Sequence, residues 1–206
     1  MEKQSSPEPI TKKKLLAVEG IDELNFFEEL FKHIGMADTV DLRDVGGKDQ
    51  FKNKMPALKK ITGFNKLEAI AIIRDADESL KSAFESIKGV LEKMDLKAPA
   101  RPGKFSGGIP KVGIFIMPDN ANNGMLENLC LDTVKDHEAM KCVNPFIDCS
   151  KELKEQPKNI AKAKAQSFLA LMPEIANSVG RGAKKDYWDF DSVELKALIR
   201  FLTQLK

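Results

Sequence analysis

Across 206 residues, 42% of them hydrophobic and 31% charged, there is enough apolar material to bury one sizeable core and too little for two. With 33 Lys and Arg set against 31 Asp and Glu, the net charge of +2 excludes a globally basic nucleic-acid binder, so a polyanion has to be held by a local patch or through a metal. No apolar run approaches the ~20 residues that span a bilayer, and the polar opening Met1 to Lys14 lacks the apolar core of a secretion signal. The expectation is a cytoplasmic protein with no membrane contact. Three cysteines, Cys130, Cys142 and Cys149, fit reduced thiols in that compartment.

In chain order, residues 1–10 read as a frayed polar lead. Leu15-Leu16-Ala17-Val18 is a short buried strand, broken by Gly20. Ile21, Leu24, Phe27, Leu30, Phe31 and Ile34 then recur at helical steps until Gly35, with Asp22 and Glu23 in the first turn, where the helix dipole favours carboxylates. Thr39 to Val45 alternates as a more exposed strand closed by Gly46-Gly47, and residues 48–63 read as a helix despite Pro56. Leu67 to Arg74 is a strong strand ending in Asp75-Ala76-Asp77, and residues 79–94 form an amphipathic helix.

The Pro- and Gly-rich stretch 97–110 must be a loop or a short hairpin. Val112 to Met117 is the last clear core strand, a polar turn covers 118–124, and Met125 opens another helix. After Pro145 the pattern turns helical, over 157–172 and 192–205. Strands alternating with helices predict a mainly parallel α/β sheet covered on both faces. Ligands in such sheets collect beyond the carboxyl ends of the strands. Glu19, Asp75, Asp77 and Asp119 all fall there.

Hard divalent ions take oxygen ligands, and Mg²⁺ is usually held by one or two carboxylates together with waters and phosphates. Within a strand, a D-x-D spacing sends both side chains to one face. Three carboxylates brought together without a cation repel, so one takes up a proton or the site recruits a metal.

Val18-Glu19-Gly20-x-Asp22-Glu23 after one strand, and Ile72-Ile73-Arg74-Asp75-Ala76-Asp77 after another, resemble the Toprim signature shared by topoisomerases, primases and a group of nucleases. The resemblance implies a Toprim/Rossmann-like sheet with helices on both faces, in which Glu19 acts as acid/base or metal ligand and Asp75 and Asp77 bind Mg²⁺ or Mn²⁺. Glu23, one turn further on, is similar to the pattern of the overcoming-lysogenization-defect (OLD) nucleases. That pattern implies a further metal-ligating glutamate after the last strand, for which Glu127 is the candidate, and a lysine, Lys162 or Lys164, that stabilises charge on the phosphate. Val112-Gly113-Ile114-Phe115-Ile116-Met117-Pro118-Asp119, Gly124-Met125-Leu126-Glu127 and Tyr187-Trp188-Asp189-Phe190-Asp191 resemble small stand-alone Toprim-like proteins along nearly the whole chain.

The expectation is one domain over 1–206, with a Toprim-like core at about 14–130 and a helical extension at about 150–206. The nucleophilic tyrosine domain of topoisomerases and the extra binding domain of primases find no counterpart, which leaves a Mg²⁺-dependent nuclease or phosphoryl-transfer enzyme acting on nucleic acid. A non-catalytic metal- or nucleic-acid-binding accessory working with a protein partner such as an ATPase is the alternative, since OLD nucleases carry an ATPase in the same chain. A phosphoacceptor receiver also places acids at strand ends. Its paired acids after the first strand and lysine after the last are not matched here.

Several residues have plainer readings. Asp119 suits a turn, the irregular spacing of Cys130, His137, Cys142 and Cys149 argues against zinc, and Gly46-Gly47 and Ser106-Gly107-Gly108 lack the lysine of a phosphate loop. Tyr187, Trp188 and Phe190 suit packing of the terminal helix better than stacking on a base. Arg74 is free to pair with Asp75 or to meet a phosphate.

Overall fold

Apolar residues run almost without interruption along each central strand, so the sheet buries both faces. In the computed structural model, which describes residues 8–206, the strands are β1 (Lys14–Val18), β2 (Asp41–Asp44), β3 (Ala69–Asp75), β4 (Lys104–Phe105) and β5 (Lys111–Met117). They lie in the order β2-β1-β3-β5-β4. β1 pairs in parallel with β2 and with β3, β3 pairs in parallel with β5, and β4 runs antiparallel to β5. Leu16, Val18, Ala71, Ile73, Phe115 and Met117 enter one hydrophobic cluster, while Leu15, Ala17, Ile70, Ile72, Ile114 and Ile116 enter the other. That split follows the two-residue period of a strand.

The helices divide accordingly. α1 (Ile21–His33) joins the first cluster through Phe26, Phe27, Leu30 and Phe31. With it lie α4 (Leu126–Thr133), α5 (Met140–Ser150), α6 (Ile160–Ala170), α7 (Val179–Ala183) and α8 (Lys196–Leu202). The opposite face is covered by α2 (Lys48–Ala57), through Phe51 and Met55, and by α3 (Leu80–Lys93), through Phe84, Ile87 and Leu91. The fold class is the expected one, a mainly parallel Toprim/Rossmann-like α/β sheet with helices on both faces and a helical extension. Among the described residues, no helix is long and apolar enough to cross a membrane.

Several boundaries differ from those expected. Residues 1–7 of the polar lead lie outside the described residues, but Ile10 is buried and its N–H donates to the Thr62 carbonyl at 2.8 Å. Gly63, at φ +99, makes that approach workable, because a Cβ there would collide with the Ile10 carbonyl. The helix expected to reach residue 63 stops at Ala57, one residue past Pro56, and the chain tightens into a 3₁₀ turn over Leu58–Lys60. The 97–110 stretch supplies one arm of a short hairpin, β4, which pairs with β5, and Gly103 N–H donates to the Ile114 carbonyl at 2.7 Å.

Helicity starts at Met140 rather than after Pro145, because Met140, Val143 and Ile147 bury one face in spite of the interior proline. α7 is a five-residue helix with two glycines that propensity does not favour. Packing makes it. A Cβ on Gly180 would collide with the Asp22 carbonyl, so only glycine lets α7 lie this close to α1. The aromatic segment is interior: Trp188 is 3% exposed, stacks on Phe168 and donates to the Val179 carbonyl at 2.8 Å, and Phe190 meets Phe26 edge-on.

Candidate metal centre

The strand order reverses direction at β1, which has β2 on one side and β3 on the other. Ligands gather at the carboxyl ends of strands flanking such a switch. Glu19 follows β1 directly, and Asp75 is the last residue of β3. The register pairs Ala17 with Ile72, so these two strand ends are side by side although more than fifty residues separate them in sequence.

Arg74 joins them. Its Nε donates to Glu19 Oε1 at 2.6 Å, with the two side chains 3% and 15% exposed. The guanidinium carbon lies 5.0 Å from the centroid of Phe51, and among the described residues the buried Nη1 has no hydrogen-bond partner. Of the two partners the sequence left open for Arg74, a carboxylate is the one observed, and it belongs to Glu19 rather than Asp75. Ion pairs this deeply buried are costly to break, because the survivor keeps an uncompensated charge.

Asp75 Oδ1 accepts the Leu126 N–H at 3.0 Å, at the start of α4, so its carboxylate sits at the positive end of a helix. Burial holds the Asp75 carboxyl well above the ordinary carboxylate range, with the charges of Glu19, Glu23, Glu127 and Asp77 adding in the same direction. Asp77 is exposed and lies beyond the end of β3, at φ 50, with its N–H donating to the Gly124 carbonyl at 2.9 Å. The expectation that strand period sends Asp75 and Asp77 to one face therefore does not hold. The strand has ended, and a left-handed turn bridged to Gly124 sets the direction of Asp77.

Glu23 stands in the first turn of α1, its carboxyl pushed from an ordinary 4.5 up to about 7, first by burial and then by Asp22, Glu19 and Glu127. Glu127, in the first turn of α4 and 14% exposed, is likewise raised, chiefly by burial. Lys162 Nζ lies 3.9 Å from Glu127 Oε1. Lys164, two residues along the same helix, instead lends its charge to Asp132 and Asp148. Of the two lysines expected near the acids, the structure puts Lys162 there and turns Lys164 elsewhere.

The five acids expected to act together, Glu19, Glu23, Asp75, Asp77 and Glu127, thus share one sheet edge, where the carboxyls of Glu23, Asp75 and Glu127 are each raised by burial and by the charge of neighbouring acids. Among the described residues, no three His, Cys, Asp or Glu side chains are grouped so as to hold a metal ion. The donor set is nevertheless all oxygen and crowded with like charge, which is the chemistry a hard divalent ion relieves.

Pattern reading gave Asp22 only a place in the first turn of α1. Its carboxylate accepts from Ser178 Oγ and from Gly180 N–H, capping α7 and tying the C-terminal extension to the helix that carries Glu23. No local signal marks a bond across 156 residues. Elsewhere, Asp119 closes its own turn by accepting from the Ala121 and Asn122 N–H groups at 2.9 and 2.8 Å. Cys130 is buried, whereas Cys142 and Cys149 are exposed.

A family model described as "Protein of unknown function (DUF3226)" matches residues 13–206. Among solved structures, a hypothetical protein from Pyrococcus horikoshii OT3 is similar at TM-score 0.55 and 14% identity, over 95% of each chain, which is a likeness of fold. The C-terminal region of the OLD protein of Xanthomonas campestris pv. campestris aligns at TM-score 0.48 and 12% identity, over 92% of this chain and 93% of that one. No curated protein matches the chain.

Proposed function

We propose that this chain, which belongs to the DUF3226 family, is a divalent-metal-dependent enzyme that cleaves or transfers phosphodiesters of nucleic acid. The observation that carries the reading is the meeting of Glu19 and Asp75 at adjacent strand ends, with Glu23, Asp77 and Glu127 close enough to shift its charge balance. The Toprim-like and OLD-like motifs of the sequence support it.

Asp75 and Asp77, joined by Glu23 and Glu127, would hold Mg²⁺ or Mn²⁺. A bound ion supplies charge to polarise a phosphate and to lower the pKa of a water. The protein's own groups do the rest. The Leu126 N–H fixes the orientation of Asp75, and Arg74 fixes Glu19 at the rim, from which it accepts a proton as general base. Lys162, exposed beside Glu127, is the cation available to charge building on a phosphate oxygen, a role its position supports better than that of Lys164.

The test is incubation with plasmid, single-stranded DNA and RNA in Mg²⁺ or Mn²⁺, wild type against Asp75→Ala. Cleavage by the wild type alone is expected, and equal products from both proteins reject the proposal.

The ion pair holding Glu19 favours one second reading, a metal- or nucleic-acid-binding accessory that has kept the fold without the reaction and works with a protein partner such as an ATPase. A stoichiometric partner on purification, with no cleavage by either component alone, supports it.

A further inference from the structure

β3 passes into α3 through a turn that the chain does not favour by itself. Asp77 stands at φ 50, in the left-handed region that aspartate enters more readily than most side chains but that only glycine occupies freely. Conformations of this kind persist where neighbouring groups hold them, and they gather at functional sites. The groups that hold this one come from the loop after β5. Asp77 N–H donates to the Gly124 carbonyl at 2.9 Å. Beside it, the Asn123 side chain grips the residues that follow: its Nδ2 donates to the Glu78 carbonyl at 2.7 Å, and its Oδ1 accepts the Leu80 N–H at 3.0 Å. Both ends of one planar amide are thus committed to a turn 43 to 45 residues away. Asn123 is exposed, so it contributes these two bonds rather than packing.

The same short segment reaches the other acids. Leu126 N–H binds Asp75, Glu127 follows in the first turn of α4, and Asn128 Oδ1 accepts the Met125 N–H at 3.0 Å, which fixes the start of that helix. Gly124, at φ +142, allows so tight a path, since a Cβ there would meet Asn128 Oδ1 at 2.9 Å. Residues 123–128 therefore set where Asp75, Asp77 and Glu127 stand relative to one another. We propose that Asn123 is a positioning residue for Asp77: by clasping Glu78 and Leu80 it keeps the Asp77 carboxylate in register with Asp75 and Glu127 for a divalent cation. The inference rests on the metal-dependent reading above and adds to it a side chain that touches neither cation nor substrate. Without the clasp only the Gly124 carbonyl restrains the turn, and Asp77 is free to return to negative φ and swing its carboxylate away. Removing groups that orient metal ligands typically costs about 10- to 100-fold in affinity.

The test is calorimetric titration of the full chain with Mn²⁺, paired with amide hydrogen exchange and thermal melts in EDTA. Asn123→Ala is compared with Asn122→Ala, which removes the neighbouring amide, bonded to Asp119 Oδ2 at 2.6 Å, and leaves the Asp77 turn alone. In Asn123→Ala the Asp77 and Leu80 amides should exchange faster, Mn²⁺ affinity should fall roughly 10- to 100-fold, and the melting temperature in EDTA should match the wild type. Asn122→Ala should bind Mn²⁺ as the wild type does. Unchanged affinity in Asn123→Ala, or an equal loss in Asn122→Ala, overturns the proposal and leaves the metal reading in place. A lowered melting temperature in EDTA for Asn123→Ala makes the residue structural and also overturns it. Failure of the wild type to bind Mn²⁺ removes the metal reading itself, and the positioning role with it.

Discussion

Glu23 gives the sharpest test of the acidic cluster, because its perturbation has a definite size. Burial and three neighbouring acids raise its carboxyl from 4.5 to about 7, which corresponds to roughly 3 kcal/mol. The side chain is only half-buried, so solvent screening brings the usable figure down to about 1–2 kcal/mol. A carboxyl raised on folding contributes stability that is complete below pH 4.5 and lost as pH climbs through about 7. Without divalent ions the wild type should therefore weaken between pH 5 and pH 8. Glu23→Gln, neutral throughout, should weaken less across that interval by about 1–2 kcal/mol, or roughly 2–8 °C in melting temperature for a chain of this size.

Thermal melts in EDTA at the two pH values measure the difference directly. Adding Mg²⁺ at pH 8 should narrow it, since a cation relieves the same repulsion that the substitution removes. Identical pH slopes for the two proteins in EDTA would refute the argument, because Glu23 would then not feel its neighbours.

Asp75→Asn should abolish Mg²⁺ binding, read by calorimetry, without lowering the melting temperature. The amide oxygen still accepts the Leu126 N–H while the crowded charge is gone, so a large loss of stability would mark Asp75 as a structural acid. Glu19→Ala should behave oppositely, costing about 3–5 kcal/mol in urea denaturation because Arg74 is left charged and buried without its partner; an unchanged midpoint would mean the pair contributes nothing. Gly180→Ala forces a methyl into the Asp22 backbone and should cost about 1–3 kcal/mol, with near-native stability arguing against the tight α1–α7 contact.

Much of the architecture is legible locally. Runs such as Leu15 to Val18 and Val112 to Met117 are short, apolar and bounded by breakers, so they specify central strands before any partner is known. The acids at the ends of the first and third strands, Glu19 and Asp75, are readable for the same reason. Less legible are features whose cause lies far along the chain. α7 has no sequence signature because it exists through contact with α1, and β3 ends at Asp75, which the D-x-D pattern cannot reveal. Lys162 and Lys164 are equivalent by composition. A helix separates them by about 200° around its axis, so only the packing of α6 against α4 decides which one meets Glu127.

Periodicity and strand-end chemistry, which act over a few residues, are enough to set the α/β class and to nominate the acids. The pairing of Arg74 with Glu19, the capping of α7 by Asp22 and the clasp of Asn123 on the Asp77 turn are different in kind. Each joins segments that become neighbours only when the sheet forms and the C-terminal helices close on it, and hydrogen bonds and ion pairs of that sort depend on ångström-scale distances that no local pattern encodes.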